Sequence, residues 1–352
     1  MKRSILIHYK TAIASAFAGV TLLSGCGSTS SSTTTTKSSA SSLATSTTAA
    51  PQTYPLTGLP LVPGGPSPTR PALMVKIDNA SAAWPQSGID KSDMVYEEMV
   101  EGGLSRYMAV FQSQNAPVVG PIRSIRGTDA ALAAQTTGLI AYSGGIPTFI
   151  SEVRATGVVD VGANLAASVY YRNPNRPAPH NLYSSTTALY AAAGTNGVAP
   201  HSLFSFGSPS TDVPSSVGSS AASITVVISG ATIDTWTYNS VAQDWTKQIN
   251  GVSVTDTSGS PISATNLVFE FVPYTNTGFV DPAGNPVPEA QLLGTGSAYF
   301  AFGGRYASGT WQKQSDSVAP TYQYQNGNAL TLRPGRTWVT FAPIGASFKV
   351  SP

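Results

Sequence analysis

Residues 128–155 read TDAALAAQTTGLIAYSGGIPTFISEVRA, and three elements follow one another within them. The Ala-rich run 128–136 favours a helix, because Ala gives up no side-chain entropy there. Residues 139–142 (LIAY) are an apolar run of strand length leading into Ser143-Gly144-Gly145. Pro147 then suits the first turn of a second helix, which runs to about Ala155. Helix, strand and helix in close succession point to a layered arrangement of helices on a sheet.

Outward from this stretch the alternation continues. ALMVKI (72–77) is a short apolar run ending at Asp78-Asn79, and 94–99 and 107–111 are further strand candidates. Residues 184–193 suit a helix with Ser184 or Ser185 as cap and Gly194 past its end. Residues 54–206 are therefore expected to form a mixed α/β N-terminal domain. Residues 207–222 (GSPSTDVPSSVGSSAA) are Gly/Pro/Ser-rich and read as a linker or loop. Beyond them the pattern turns to period two at 224–228, 236–238, 267–272, 298–302, 321–324 and 338–341, with turn signals at Gly303-Gly304 and Asn326-Gly327. Residues 223–352 are expected to form a β-rich C-terminal domain, giving an α+β fold.

The N-terminus gives a location. Lys2, Arg3 and Lys10 precede an apolar stretch at 12–23, too short for a transmembrane span of about 20 residues. Leu23-Ser24-Gly25-Cys26 follows and resembles the bacterial lipobox, in which the cysteine is acylated and becomes the new N-terminus. Residues 1–25 are thus read as a lipoprotein signal peptide and Cys26 as the lipidation site. The expected location is the extracytoplasmic face of a bacterial membrane, because two or more acyl chains give stable anchoring. Residues 26–53 are nearly pure Ser/Thr/Ala after the cysteine, too polar to offset their ordering entropy, and read as a disordered tether.

Composition narrows the function. Of 352 residues, 10% are charged, with 19 Lys+Arg, 17 Asp+Glu, three His and one Cys. Loss of Lys2, Arg3 and Lys10 with the signal leaves 16 cations against 17 anions, so no polycationic surface for nucleic acid exists. A single Cys excludes internal disulfides and Cys-ligated clusters. Nothing calls for a cofactor or a metal.

The sparse charge is clustered. Six of the eleven Arg lie between positions 106 and 176, and Asp90, Asp93, Glu97, Glu98 and Glu101 crowd into twelve residues. Arg is suited to forked contacts with carboxylate or phosphate. Arg123 and Arg126 would grip such an anion, Arg106 and Arg172 would flank it, and Asn79 and His180 would orient it. Ser143-Gly144-Gly145 before a helix could add backbone N–H donors. Glu98 completes the candidate set as a carboxylate for an enzymatic alternative. The competing reading is that the acids and the Arg pair with each other and hold loops. Glu97 and Glu98 on one strand would point to opposite faces, which weakens paired-carboxylate chemistry. Trp236, Trp245, Trp311, Trp338, Tyr322 and Tyr324 fit a core better than a carbohydrate-stacking face.

These stretches resemble a bacterial lipoprotein family of unknown activity, the YerB-like (DUF3048) proteins. The resemblance rests on RPALMVKIDNA (70–80), WPQSGIDKSDMVYEEMVEGGLSRYMAVF (84–111), VGPIRSIR (119–126), YSGG (142–145) and RPAPHNLY (176–183). GSAYFAFGGRYASGTWQK (296–313) and LTLRPGRTWVTFAP (330–343) resemble its C-terminal part. It implies a two-part extracytoplasmic lipoprotein and supplies no reaction. The expected function is binding of a cell-envelope ligand, such as a wall glycopolymer, or of an envelope protein through an Arg-rich cleft. The alternative is a hydrolase or phosphoryl-type transferase acting on an envelope polymer.

Overall fold

The run at 72–77 becomes strand β1 (Leu73–Ile77), buried along its whole length. β2 (Met94–Met99) and β3 (Ser105–Phe111) form a hairpin beside it, and β4 (Leu139–Ala141) and β5 (Val159–Asp160) extend the sheet in parallel. Helix α1 (Thr128–Thr136) precedes β4, and α2 (Pro147–Ala155) follows it with Pro147 in its first turn. α3 (Thr186–Ala193) starts at Ser185, whose hydroxyl accepts from the N–H of Ala188 at 3.1 Å. These residues belong to a computed structural model that describes residues 52–352. The signal segment, Cys26 and the tether up to residue 51 lie outside the described residues.

The architecture is α+β. Its largest sheet has eleven strands, with β2 lying parallel to Thr337–Pro343 in the register Met94↔Thr337 to Glu97↔Thr340. Strands from before and after residues 207–222 therefore share one sheet. Beyond Thr337–Pro343 come Asn266–Val272, Gly294–Phe302, Arg305–Lys313 and Thr321–Tyr324. The hairpin at 294–313 turns on Gly303-Gly304, both at positive φ, as the sequence signalled. Gly218–Ser220, inside the stretch read as linker, pairs with Arg305–Lys313. Gly218 permits this approach, since a Cβ there would lie 2.4 Å from the Tyr306 carbonyl oxygen.

Alternation along β2 sorts the two faces. Val95 joins Tyr107, Trp236, Trp245, Phe269 and Trp338 in a core shared with a second, six-stranded sheet. Met94 and Tyr96 face the other way, into a core with Leu132 of α1 and Val153 of α2. The four tryptophans named above are all at most 1% exposed, so they are core and no stacking face.

Candidate functional site

Charge is buried in three groups around β1–β3. On the second-sheet side, Glu97 accepts from the ammonium of Lys247 at 2.8 Å and from the indole N–H of Trp338 at 2.9 Å; Asp234 pairs with the same lysine. On the helix side, Lys76 pairs with both Glu98 and Asp129. Burial, with Glu98 nearby, pushes the Asp129 carboxyl up to about 6. Glu97 and Glu98 therefore do point to opposite faces, and each is held by a lysine.

The third group lies where the segment 119–126 crosses the end of β1. The Arg123 N–H donates to the Lys76 carbonyl and that of Asp78 to the Pro121 carbonyl, pinning the segment to the strand. Gly120 allows the crossing: at φ 147°, a Cβ would stand 2.7 Å from the Tyr183 ring and 2.8 Å from the Leu182 carbonyl oxygen. Three guanidinium groups are thereby gathered against two carboxylates. Arg123 Nε donates to Asp78 Oδ2 at 2.9 Å, and Arg126 pairs with Glu101. Arg106 lies 3.6 Å from Glu101 and donates to the Ser124 carbonyl at 3.2 Å. Burial and the neighbouring Arg126 charge bring the Arg106 guanidinium down to about 10. Burial opposes ionisation of Glu101, but the Arg126 hydrogen bond and the two guanidinium charges hold its carboxyl below its ordinary value.

The structure sorts the expected residues. His180 joins Arg123 on one oxygen, its Nδ1 lying 2.7 Å from Asp78 Oδ2. Both are partly exposed, with 23% of the Arg123 side chain and 19% of the His180 side chain accessible. Arg123 and His180 thus form the accessible part of the cluster, while Arg106 and Arg126 stand behind them as buried charge. Arg172 donates to Asn181 Oδ1 at 2.6 Å in the neighbouring loop. Asn79 is fully committed: its amide donates to Ser105 and accepts from Trp84 and Gln86. Glu98 is 2% exposed and tied to Lys76, so neither Asn79 nor Glu98 can reach a ligand without breaking the interior.

Three residues escaped the sequence reading, Asp78, Ser124 and Tyr183, and a fourth, Ser143, expected to offer its backbone N–H to an anion, donates it inward instead. Asp78 was seen only as the end of a strand, yet it holds both Arg123 and His180. Ser124 and Ser143 face each other with hydroxyls 3.4 Å apart, and the Ser143 N–H donates to the Arg123 carbonyl. The Tyr183 hydroxyl is buried with no hydrogen-bond partner among the described residues. The Asp-Asn pair directly after a strand and the VGPIRS turn were the available signals, because loops at strand ends carry sites.

A cavity of about 510 Å³ opens elsewhere, between α1, α2 and residues 289–293. Its acids are Glu152, Glu289 and Asp316; burial and the other carboxylates push Glu289 above its ordinary value. None of the seven candidate binding residues lines it. No group of three or more acids, His or Cys among the described residues is arranged to hold a metal.

The fold and these stretches belong to a family of proteins of unknown function. The N-terminal domain of DUF3048 matches residues 56–199 and the C-terminal domain matches residues 224–339, so the chain is a member of that family. Among its relatives is the Bacillus subtilis (strain 168) protein named "Putative lipoprotein YerB", 27% identical over 304 residues, covering 84% of this chain and 88% of that protein. The crystal structure of YerB from Bacillus subtilis shares the fold, with a TM-score of 0.70 at 23% identity over 85% of this chain and 99% of that one. Among the described residues, no helix is long and apolar enough to cross a membrane.

Proposed function

We propose that this chain is a lipoprotein held at the extracytoplasmic face of a bacterial membrane by acylated Cys26, binding an anionic ligand of the cell envelope through the Arg123 surface. The lipobox-like Leu23-Ser24-Gly25-Cys26 and the lipoprotein name carried by the Bacillus relative support the anchoring. The observation that carries the binding is the charge imbalance at close range. Among the described residues, Arg106, Arg123 and Arg126 have only Asp78 and Glu101 as ion-pair partners within 4 Å, while Asp281 acts on Arg126 from farther off. Buried charge is costly unless paired, and an incoming anion supplies the missing negative charge. Arg123 is the most accessible of the three, and its Nη1 and Nη2 have no partner among the described residues. Partners of this kind are wall glycopolymers or acidic segments of envelope proteins.

Arg123→Ala is the test. Full-length protein in detergent should bind wall glycopolymer at least tenfold more weakly when Arg123 is truncated, while its melting temperature stays within a few degrees. Unchanged binding would remove this surface from consideration. Cys26→Ser should lose the acyl mass and move the protein from the membrane fraction to the soluble one.

The Asp78–His180 pair favours a second reading, a hydrolase or phosphoryl-type transferase for an envelope polymer. A carboxylate bonded to Nδ1 fixes an imidazole with Nε2 outward, as acid–base catalysis requires. Product release abolished by His180→Ala, with binding retained, would favour the enzyme over the binding protein.

A further inference from the structure

We infer that the group recognised at this site is a phosphoryl oxyanion, gripped by Arg123 and His180, with Asp78 as the positioning residue that sets both. The inference rests on the anion-binding reading above and narrows it to one ligand chemistry.

Asp78 is 3% exposed, and its Oδ1 accepts from the Ala80 N–H at 3.1 Å, which fixes the carboxylate. Its other oxygen, Oδ2, takes both the Arg123 Nε and the His180 Nδ1. With Nε used inward, Arg123 is left to offer its Nη1/Nη2 end. With Nδ1 used inward, His180 is left to offer Nε2. One buried oxygen thus orients outward a guanidinium fork and an imidazole Nε2, which donates to an oxyanion in the imidazolium form and accepts from a P–OH in the neutral form.

Two serine hydroxyls, 3.4 Å apart, lie on the backbone that carries Arg123 and on the segment bonded to it. Ser124 follows Arg123 directly, and Ser143 is hydrogen-bonded to the Arg123 carbonyl. Gly144, at φ 157°, would carry a Cβ no nearer than 4.0 Å to the Ser124 oxygen, so backbone is open to approach on this side. The Tyr183 hydroxyl adds an orphaned buried polar group whose charged neighbours are Arg176 and Asp78.

The mixture of donors discriminates between anions. A carboxylate is planar, and one guanidinium fork satisfies it. Here a fork, an imidazole and hydroxyls come from three separate segments, 123–124, 143–144 and 180. That arrangement suits three or more oxygens disposed around a tetrahedral centre.

The test uses the full-length ¹⁵N-labelled chain in detergent micelles, titrated with inorganic phosphate, poly(glycerol phosphate), acetate and poly-glutamate. Phosphate and the phosphate polymer should shift the His180 ring Nε2 resonance saturably, leaving His201 unmoved, with the carboxylates at least tenfold weaker. Tighter binding of the polymer per phosphate would identify a phosphodiester chain as the source, and equal binding would identify free phosphate. Asp78→Asn should weaken phosphate binding at least tenfold and release the His180 ring from its Nδ1–H form. Arg123→Lys keeps the charge but loses the fork, and it should weaken binding similarly even if the Asp78 variant folds poorly. Carboxylates binding as well as phosphate would overturn the phosphoryl assignment while leaving an anion site. Binding of none of the four anions would overturn both readings. Wild-type affinity in Asp78→Asn and Arg123→Lys would remove the positioning role and the fork.

Discussion

Lys247→Met tests how the two halves of the sequence are held together. Lys247, Glu97 and Asp234 are all fully buried, so two carboxylates and one ammonium share a dry site. The ammonium also lies 4.7 Å from the Trp236 ring centre and 5.0 Å from that of Trp338. Burial opposes ionisation of Glu97, but the Lys247 charge holds its carboxyl below its ordinary value; burial and Glu97 push Asp234 well above its own. One ammonium cannot neutralise two dry carboxylates, so charge balance has the pair share one proton while the lysine neutralises the remaining charge. Met keeps the bulk and removes the charge, so folding must now bring a second proton onto the pair. Against an unfolded value of 4.5, that protonation costs about 3 kcal/mol at pH 7 and less than about 1 kcal/mol at pH 5, at roughly 1.4 kcal/mol per pH unit. The figure sits at the lower edge of the roughly 3–5 kcal/mol found when one partner of a buried ion pair is removed. The sign follows from the raised folded value: the variant regains stability as the pH falls. Urea unfolding of wild type and variant at pH 7 and pH 5 measures it. A loss that is equal at the two pH values, or below about 1 kcal/mol at pH 7, would refute the assignment of a single uncompensated charge.

Two other perturbations have defined outcomes. Glu270 is fully buried, and burial raises its carboxyl from 4.5 to about 7 despite the hydrogen bond from the Tyr322 hydroxyl at 2.7 Å. Its stabilising contribution is therefore present below pH 4.5 and lost as the pH rises through 7. Glu270→Gln, which can still accept from Tyr322 and does not ionise, should flatten the stability profile between pH 5 and 8 by up to about 3 kcal/mol in urea titrations; identical slopes would count against it. Gly120→Ala forces a Cβ against the Tyr183 ring and the Leu182 carbonyl at a φ that L-residues avoid. It should cost about 2 kcal/mol or more in thermal melts and weaken anion binding with it, because the same segment carries Arg123. A variant that melts and binds as wild type would show that the crossing can relax.

The sequence made the elements legible and left their assembly hidden. Helices 128–136 and 147–155 stand where Ala content and Pro147 placed them, because those signals are local. The partnership of β2 with Thr337–Pro343 spans some two hundred and forty positions and leaves no periodic trace. Nor does composition distinguish a Ser/Gly linker from the strand Gly218–Ser220, whose Gly is selected by the neighbouring Tyr306 backbone. The hairpin of Tyr274–Val280 and Pro286–Ala290 is largely exposed on its first strand, so it lacked an alternating pattern. Within the site, clustering of Arg was visible and its sorting was not. That sorting depends on which acid each Arg meets, and Asp78 reaches Arg123 and His180 from 45 and 102 positions away.

The division of labour between the two cations explains why the acidic cluster did not neutralise the Arg cluster. The carboxylates at Glu97, Glu98, Asp129 and Asp234 are all met by two lysines, whose compact ammonium groups fit inside the sheet. Those groups are dry and serve the fold. The arginines are left at the ends of the strands with fewer acids than charges. Arg106 and Arg126 make up part of the deficit with carbonyls of Ser124 and Ile125, which a planar five-donor group can do and an ammonium does less well. Carbonyl oxygens supply hydrogen bonds but no net negative charge, so the excess positive charge persists toward Arg123, the most accessible of the three. Filling the interior with lysine pairs is thus what leaves the rim electrostatically open, and the place of an external anion follows from how the internal ones were spent.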